Sequence, residues 1–169
     1  MKDKVRMITY GGILSAVIML VTFVTAIPIP IPNIYGYINF GDGVIFATAV
    51  ILGPFAGVCA GLGSALADLI AGYAMYIPAT FLIKGSMGLL AGLVLKMKPQ
   101  LAWYWQIVLF AACEIIMVGG YFLFEGLFVY ATGGRFIAAS GALLANTIQG
   151  VAGIILGIGI LPLARRIKL

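Results

Sequence analysis

Apolar residues fall in long blocks along this chain rather than alternating, and the breaks between blocks divide it into helices. The first block runs from about Met7 to Ala26, close to the roughly 20 residues that carry a helix across about 30 Å of hydrocarbon. Ile27-Pro28-Ile29-Pro30-Ile31-Pro32 must leave that helix, because each proline removes a donor and holds its predecessor extended, so a stiff connecting loop is expected. A short helix is expected from about Asp42 to Leu52, broken at Gly53-Pro54, then a third from Phe55 to about Tyr73 and a fourth from Pro78 to about Lys96. The fifth starts near the aromatic belt Trp103-Tyr104-Trp105 and reaches Phe124 or beyond, and the last covers about Ala139 to Leu163. The pattern predicts an all-α integral membrane protein, a bundle of six helices whose second is too short to span alone.

Composition narrows the class. Of 169 residues, 63% are hydrophobic and 9% charged, which is too apolar for a soluble core and too continuous for the weak alternation of a membrane barrel. The length suits one compact membrane domain over residues 1–169 and leaves no room for a second globular one. Val24-Thr25-Ala26 loosely resembles a signal-peptidase site, but the preceding apolar run exceeds the roughly 7 to 15 residues of a signal core, so a retained helix is expected.

The net charge of +5 is distributed by span ends. With the N-terminus cytoplasmic, Lys2, Lys4, Arg6, Lys96, Lys98, Arg165, Arg166 and Lys168 all lie inside and Arg135 alone lies outside. An N-in, C-in topology in a multi-pass cell-membrane protein follows, and the basic residues report orientation rather than nucleic acid. The sequence has no His, and Cys59 and Cys113 stand far apart, which excludes His-based metal sites, CxxC redox chemistry and a disulfide framework. With no phosphate loop, nucleophile elbow or Ser/His/Asp set, no catalytic residue, metal or cofactor is expected. Small residues recur on the third helix (Gly53, Gly57, Gly61, Ala65) and at Gly85, Gly88 and Gly92, and at Gly150, Gly153 and Gly157, a spacing suited to close helix contact.

Against this background the polar residues inside the spans become the candidates. Asp68, Lys84 and Glu114 interrupt apolar runs, where each charge costs about 2.5 to 3.5 kcal/mol on insertion scales, so together they point to a polar cavity. At about 1.5 Å rise per residue, Asp68, Lys84 and Asn146 lie roughly 7, 9 and 10 Å below the outer ends of their helices, at one level. Asn146 and Gln149 share a face, as do Glu114, Tyr121 and Glu125. For Asp68 and Lys84 the plainer alternative is an ion pair between the third and fourth helices; for Asn146 and Gln149 it is interhelical hydrogen bonding, and for Glu114 packing as a protonated acid. Tyr35, Tyr37, Tyr73 and Tyr76 cluster at the outer mouth, either as an interfacial belt or as stacking faces for a planar ligand. Asn39 and Asp42 open the short helix, either as a capping turn or in contact with the cavity.

Asn39-Phe40-Gly41-Asp42, Leu52-Gly53-Pro54, Gly63-Ser64-Ala65-Leu66-Ala67-Asp68, Gly72-Tyr73, Pro78 and Ile83-Lys84-Gly85 together resemble the substrate-binding S components of energy-coupling factor (ECF) vitamin transporters. The likeness is greatest from about Asn39 to Gly92 and to the branch with riboflavin-type and pyridoxine or hydroxymethylpyrimidine-type members. It implies a bundle that binds a vitamin from outside and associates with a transmembrane coupling subunit and two cytoplasmic ATPases, the occupied cavity toppling toward the cytoplasm and the Pro-rich loop serving as part of a lid. The family docks its coupling subunit through an Ala-three-residues-Ala pattern on the first helix; here the corresponding small residues are Gly12 and Ala16, with Gly11 and Ser15 beside them. The resulting reading is a vitamin-binding subunit, with pyridoxine or hydroxymethylpyrimidine as first choice. Riboflavin, a self-sufficient carrier using Asp68 or Glu114 for protons, and a membrane assembly protein are the alternatives.

Overall fold

The computed structural model describes residues 2–29, 36–129 and 135–167. Six α-helices account for most of them: α1 Lys2–Val24, α2 Gly41–Leu52, α3 Ala56–Ile70, α4 Ile77–Met97, α5 Trp103–Phe124 and α6 Arg135–Ala164. By length and apolarity five helical runs can cross a membrane, because α2 and α3, joined by a single 3-10 turn at Gly53–Phe55, form one run from Gly41 to Ile70. The chain nevertheless reverses at that turn. Asp42 at the start of α2 bonds Lys84 in the N-terminal half of α4, Gly53 lies against Gly92 and Lys96 toward the C-terminal end of α4, and Gly61 on α3 is back beside Phe81. Gly53 makes the reversal possible, with φ at 58°, a conformation open to glycine and costly for side-chain-bearing residues.

Element boundaries differ from expectation by a few residues, for local reasons. Helix α3 stops at Ile70 rather than Tyr73 because Gly72 adopts φ 84°; the Tyr73 N–H then donates to the Asp68 carbonyl at 2.8 Å, a Schellman-type end. Helix α6 starts at Arg135, a turn earlier than expected, and α5 continues into a π-helical turn at Glu125–Val129. The proline segment does not form an open loop throughout: Ile27–Pro28 (β1) pairs antiparallel with Tyr37–Ile38 (β2). Proline is tolerated there because a two-stranded ribbon leaves its outer N–H positions unused.

Packing explains the glycine spacing. A Cβ on Gly57 would lie 2.9 Å from the Gly85 carbonyl oxygen, one on Gly61 2.8 Å from that of Phe81, and one on Gly88 2.7 Å from that of Ala56, so α3 and α4 touch backbone to backbone. On the other side, Gly157 admits Phe46, whose ring stacks on Phe110 at 4.0 Å between centroids. These rings, with Met87, Met117, Cys113 and Leu161, form the core below the polar residues. A separate cluster of Ile29, Ala142 and Ala145 with Ile38 seats the β-ribbon on α6.

Gly61→Leu should therefore lower stability by about 1–3 kcal/mol through overpacking, seen as a reduced thermal midpoint in detergent. Gly119→Ala, where an added Cβ meets nothing within 4 Å, should stay within about 0.5 kcal/mol of wild type.

Candidate functional site

The polar side chains converge because three helix segments meet at one level. Just before α2, the Asn39 side-chain oxygen accepts the Gly41 N–H at 2.9 Å. Asp42, in the first turn of α2, is fully buried and accepts from Lys84 Nζ at 2.5 Å and from Gln149 Nε2 at 2.7 Å. The Gln149 carbonyl in turn accepts from the Asn39 backbone N–H at 2.9 Å and from Asn39 Nδ2 at 3.1 Å. One connected network thus ties the segment after β2 to α2, α4 and α6. Lys84 pairs with Asp42, so the Asp68–Lys84 ion pair considered from the sequence is not the one formed: the first turn of α2 lies against α4 and supplies the nearer carboxylate.

Above this network is a cavity of about 40 Å³. Lys84, Asn39 and Gln149 reach its wall, joined by Asn146 from α6, Tyr121 from the end of α5 and Asp68 from the end of α3. The Schellman turn fixes Asp68 at the mouth. Tyr37 OH donates to Asp68 Oδ1 at 2.6 Å. Burial, reinforced by the Asp68 charge, raises the Tyr37 phenol well above its ordinary pKa, so it remains a donor throughout the working pH range. The Tyr37 and Tyr73 rings lie 5.1 Å apart, those of Tyr73 and Tyr76 6.1 Å, and those of Tyr76 and Tyr121 6.3 Å, an aromatic wall along one side. Lys84 Nζ sits 5.8 Å from the Tyr121 ring centroid, within cation–π range.

Nine of the candidates therefore share one cavity: Asp68, Lys84, Asn146, Gln149, Tyr37, Asn39, Tyr73, Tyr76 and Tyr121. Tyr35 lies outside the described residues. Glu114 is not on the cavity wall. It is buried beneath, its carboxyl against Gly150 and Gly153 of α6, within electrostatic reach of Asp42 and Lys84 but with neither oxygen hydrogen-bonded among the described residues. Of the small residues on α1, Gly12 and Ala16 are exposed, whereas Gly11 packs on Phe55 and the Ser15 carbonyl faces Gly63. Sequence reading undervalued Asp42 and left out Glu125, Thr80, Ser64 and Thr22, which also line the cavity. Glu125 carried a signal, as a charge on the Tyr121 face; the hydroxyl residues carried none, since Ser and Thr are common in spans.

Residues 2–166 match the family model described as ECF-type riboflavin transporter, S component. A protein of Pyrococcus woesei, described as an uncharacterized protein in gap 3'region, is 40% identical over 134 residues, covering 78% of this chain and 84% of that protein. The thiamine precursor transporter HmpT of Lactococcus lactis subsp. cremoris is 32% identical over 139 residues, 81% of this chain and 75% of its own length. With five helical runs able to cross a bilayer and a polar cavity at one end of the bundle, the chain is a multi-pass membrane protein and belongs to the family of ECF-type riboflavin transporter S components.

Proposed function

We propose that this chain captures a small heteroaromatic vitamin from outside the cell for ATP-driven uptake, with hydroxymethylpyrimidine or pyridoxine as the favoured ligand. The observation that carries the reading is the cavity itself, where Lys84 of a buried ion pair and the amides of Asn39, Asn146 and Gln149 meet a row of tyrosines. Tyrosine faces suit a planar ring, and the amides and acids suit its hydroxyl and nitrogen substituents. The thiamine precursor transporter among the relatives supports a pyrimidine. Riboflavin is the second reading, favoured by the family's description. At about 40 Å³ the cavity is far smaller than the roughly 300–1,000 Å³ of ligand pockets, and in this proposal the β-ribbon, whose Tyr37 lines it, lifts from α6 to admit the ligand.

In this proposal residues 1–169 form one substrate-binding domain, α2 and α3 cross separately as a hairpin, and both termini are cytoplasmic. The tyrosine-lined mouth then faces outward. A transmembrane coupling subunit docks on the exposed Gly12 and Ala16 stripe of α1, and two cytoplasmic ATPases supply the hydrolysis for which this sequence has no phosphate loop.

Mass spectrometry of small molecules released from the purified protein tests the function: a pyrimidine or pyridine vitamin is expected, and a recovered flavin would move the assignment to riboflavin. Calorimetry suits the follow-up titrations better than tryptophan fluorescence, since Trp103 and Trp105 begin α5 at the end remote from Tyr121 and the cavity.

Topology is tested by labelling intact cells with a membrane-impermeant maleimide: Met75→Cys should react and Lys98→Cys should not, the native cysteines being buried. The opposite pattern would invert the orientation. Lys84→Met should cost about 3–5 kcal/mol by leaving Asp42 buried without its cation. Adding Asp42→Asn should recover much of that loss in a thermal melt without restoring vitamin affinity.

A further inference from the structure

Two buried acids face the cavity, each with one oxygen that accepts no hydrogen bond among the described residues. Asp68 and Glu125, the latter on the π-helical turn after α5, are each more than nine-tenths buried and both line the wall. A phenol takes one oxygen of each: Tyr37 donates to Asp68 Oδ1 at 2.6 Å and Tyr76 to Glu125 Oε1 at 3.4 Å. Asp68 Oδ2 and Glu125 Oε2 accept no hydrogen bond among the described residues. Between the two phenols stands Tyr73, its ring 5.1 Å from that of Tyr37 and 6.1 Å from that of Tyr76. The acids therefore close the two ends of a row of three tyrosines. Lys84 reaches the same wall, but its charge is matched by Asp42 at 2.5 Å.

An acceptor left unpaired in a buried site is costly, and an unpaired carboxylate more so. The chemistry that satisfies both free oxygens is an N–H or O–H donor, and a positive charge held against phenol faces gains cation–π attraction as well. The uracil-like edge of a flavin offers only one neutral N–H, flanked by two carbonyl oxygens that would face the acids as acceptors, and it brings no positive charge. We infer that Glu125 acts with Asp68 as a specificity-determining pair that selects a protonatable, amino-bearing heteroaromatic ligand, an aminopyrimidine or an amine-bearing pyridine, over a neutral flavin. The inference rests on the vitamin-binding reading and adds to it a ligand class and a residue. A π-helical turn fits such a role, because such turns inside helices are frequent at functional sites.

Calorimetric titration of the full-length protein in detergent tests this, with four ligands: hydroxymethylpyrimidine carrying its amino group, the counterpart in which hydrogen replaces the amine, pyridoxine and riboflavin. Wild type should bind the amino form at least about tenfold more tightly than the deaminated form and than riboflavin, the scale of losing one charge-assisted hydrogen bond. Glu125→Gln should weaken the amino form about tenfold while leaving the deaminated form unchanged, so that the ratio approaches one. Equal or tighter wild-type binding of the deaminated form, of pyridoxine, which carries no amine, or of riboflavin would overturn the inference and leave the vitamin-binding reading standing, as would an unchanged ratio in folded Glu125→Gln. Binding of none of the four would remove that reading and the inference together. The wild-type comparison decides alone if the variant does not fold.

Discussion

The contact on which the rest of the molecule depends is the buried pair between Asp42 and Lys84, 2.5 Å apart with both side chains almost fully enclosed. Neither charge is tolerable alone at that depth, since an ion taken out of water keeps an effective penalty of several kcal/mol unless it is paired and hydrogen-bonded. The pair therefore constrains where α2 can sit. It holds the first turn of a helix too short to span against the N-terminal half of α4, and Gln149 extends the network to α6. Through Asn39, Gln149 also ties down the segment that follows β2. One ionic contact thus links a stable interior to the ribbon covering the cavity.

That contact is reached only because the helices approach closely. Lipid tails are as apolar as leucine, so association in the membrane depends on packing and on polar contacts rather than on a hydrophobic drive. The glycines of α3 and α4 provide the packing, carbonyl oxygens lying where side chains would otherwise stand. The same small residues on α6 make room for Glu114 and Phe46. Glu114 consequently lies beside the network rather than in the cavity, a buried acid whose nearest charges are Asp42 and Lys84.

Much of this was legible in the sequence because charge and amide groups are so rare in the spans that each one present marks a polar neighbourhood. Rarity singled out Asp68, Lys84, Asn146 and Gln149, and helical rise placed three of them at one depth; the structure brings all four to one wall. Pairing was not legible. Asp42 lies 42 residues from Lys84 along the chain, and at the start of a short helix a capping turn and a cavity contact were equally open to Asn39 and Asp42. The hairpin between α2 and α3 was signalled by Gly53-Pro54, whereas the β-ribbon was hidden by its prolines, which argue against strands except at unpaired edges. Glu125 was visible as a charge on the Tyr121 face, but the π-helical turn that brings it to the wall is a backbone event without a clear signature in the residues.

The central claim is that the Asn39–Gln149–Asp42–Lys84 network holds the ribbon closed over a bound vitamin. The most direct measurement is the rate at which bound vitamin leaves the wild-type protein and Gln149→Leu, followed by dilution or chase in detergent. Gln149→Leu keeps the Asp42–Lys84 pair but removes both bonds to Asn39 and the one to Asp42, so release should quicken by about tenfold or more, the scale of hydrogen bonds lost from a buried site, with the fold retained. An unchanged release rate in a folded variant would contradict the account, because the ribbon would then be held by something other than this network.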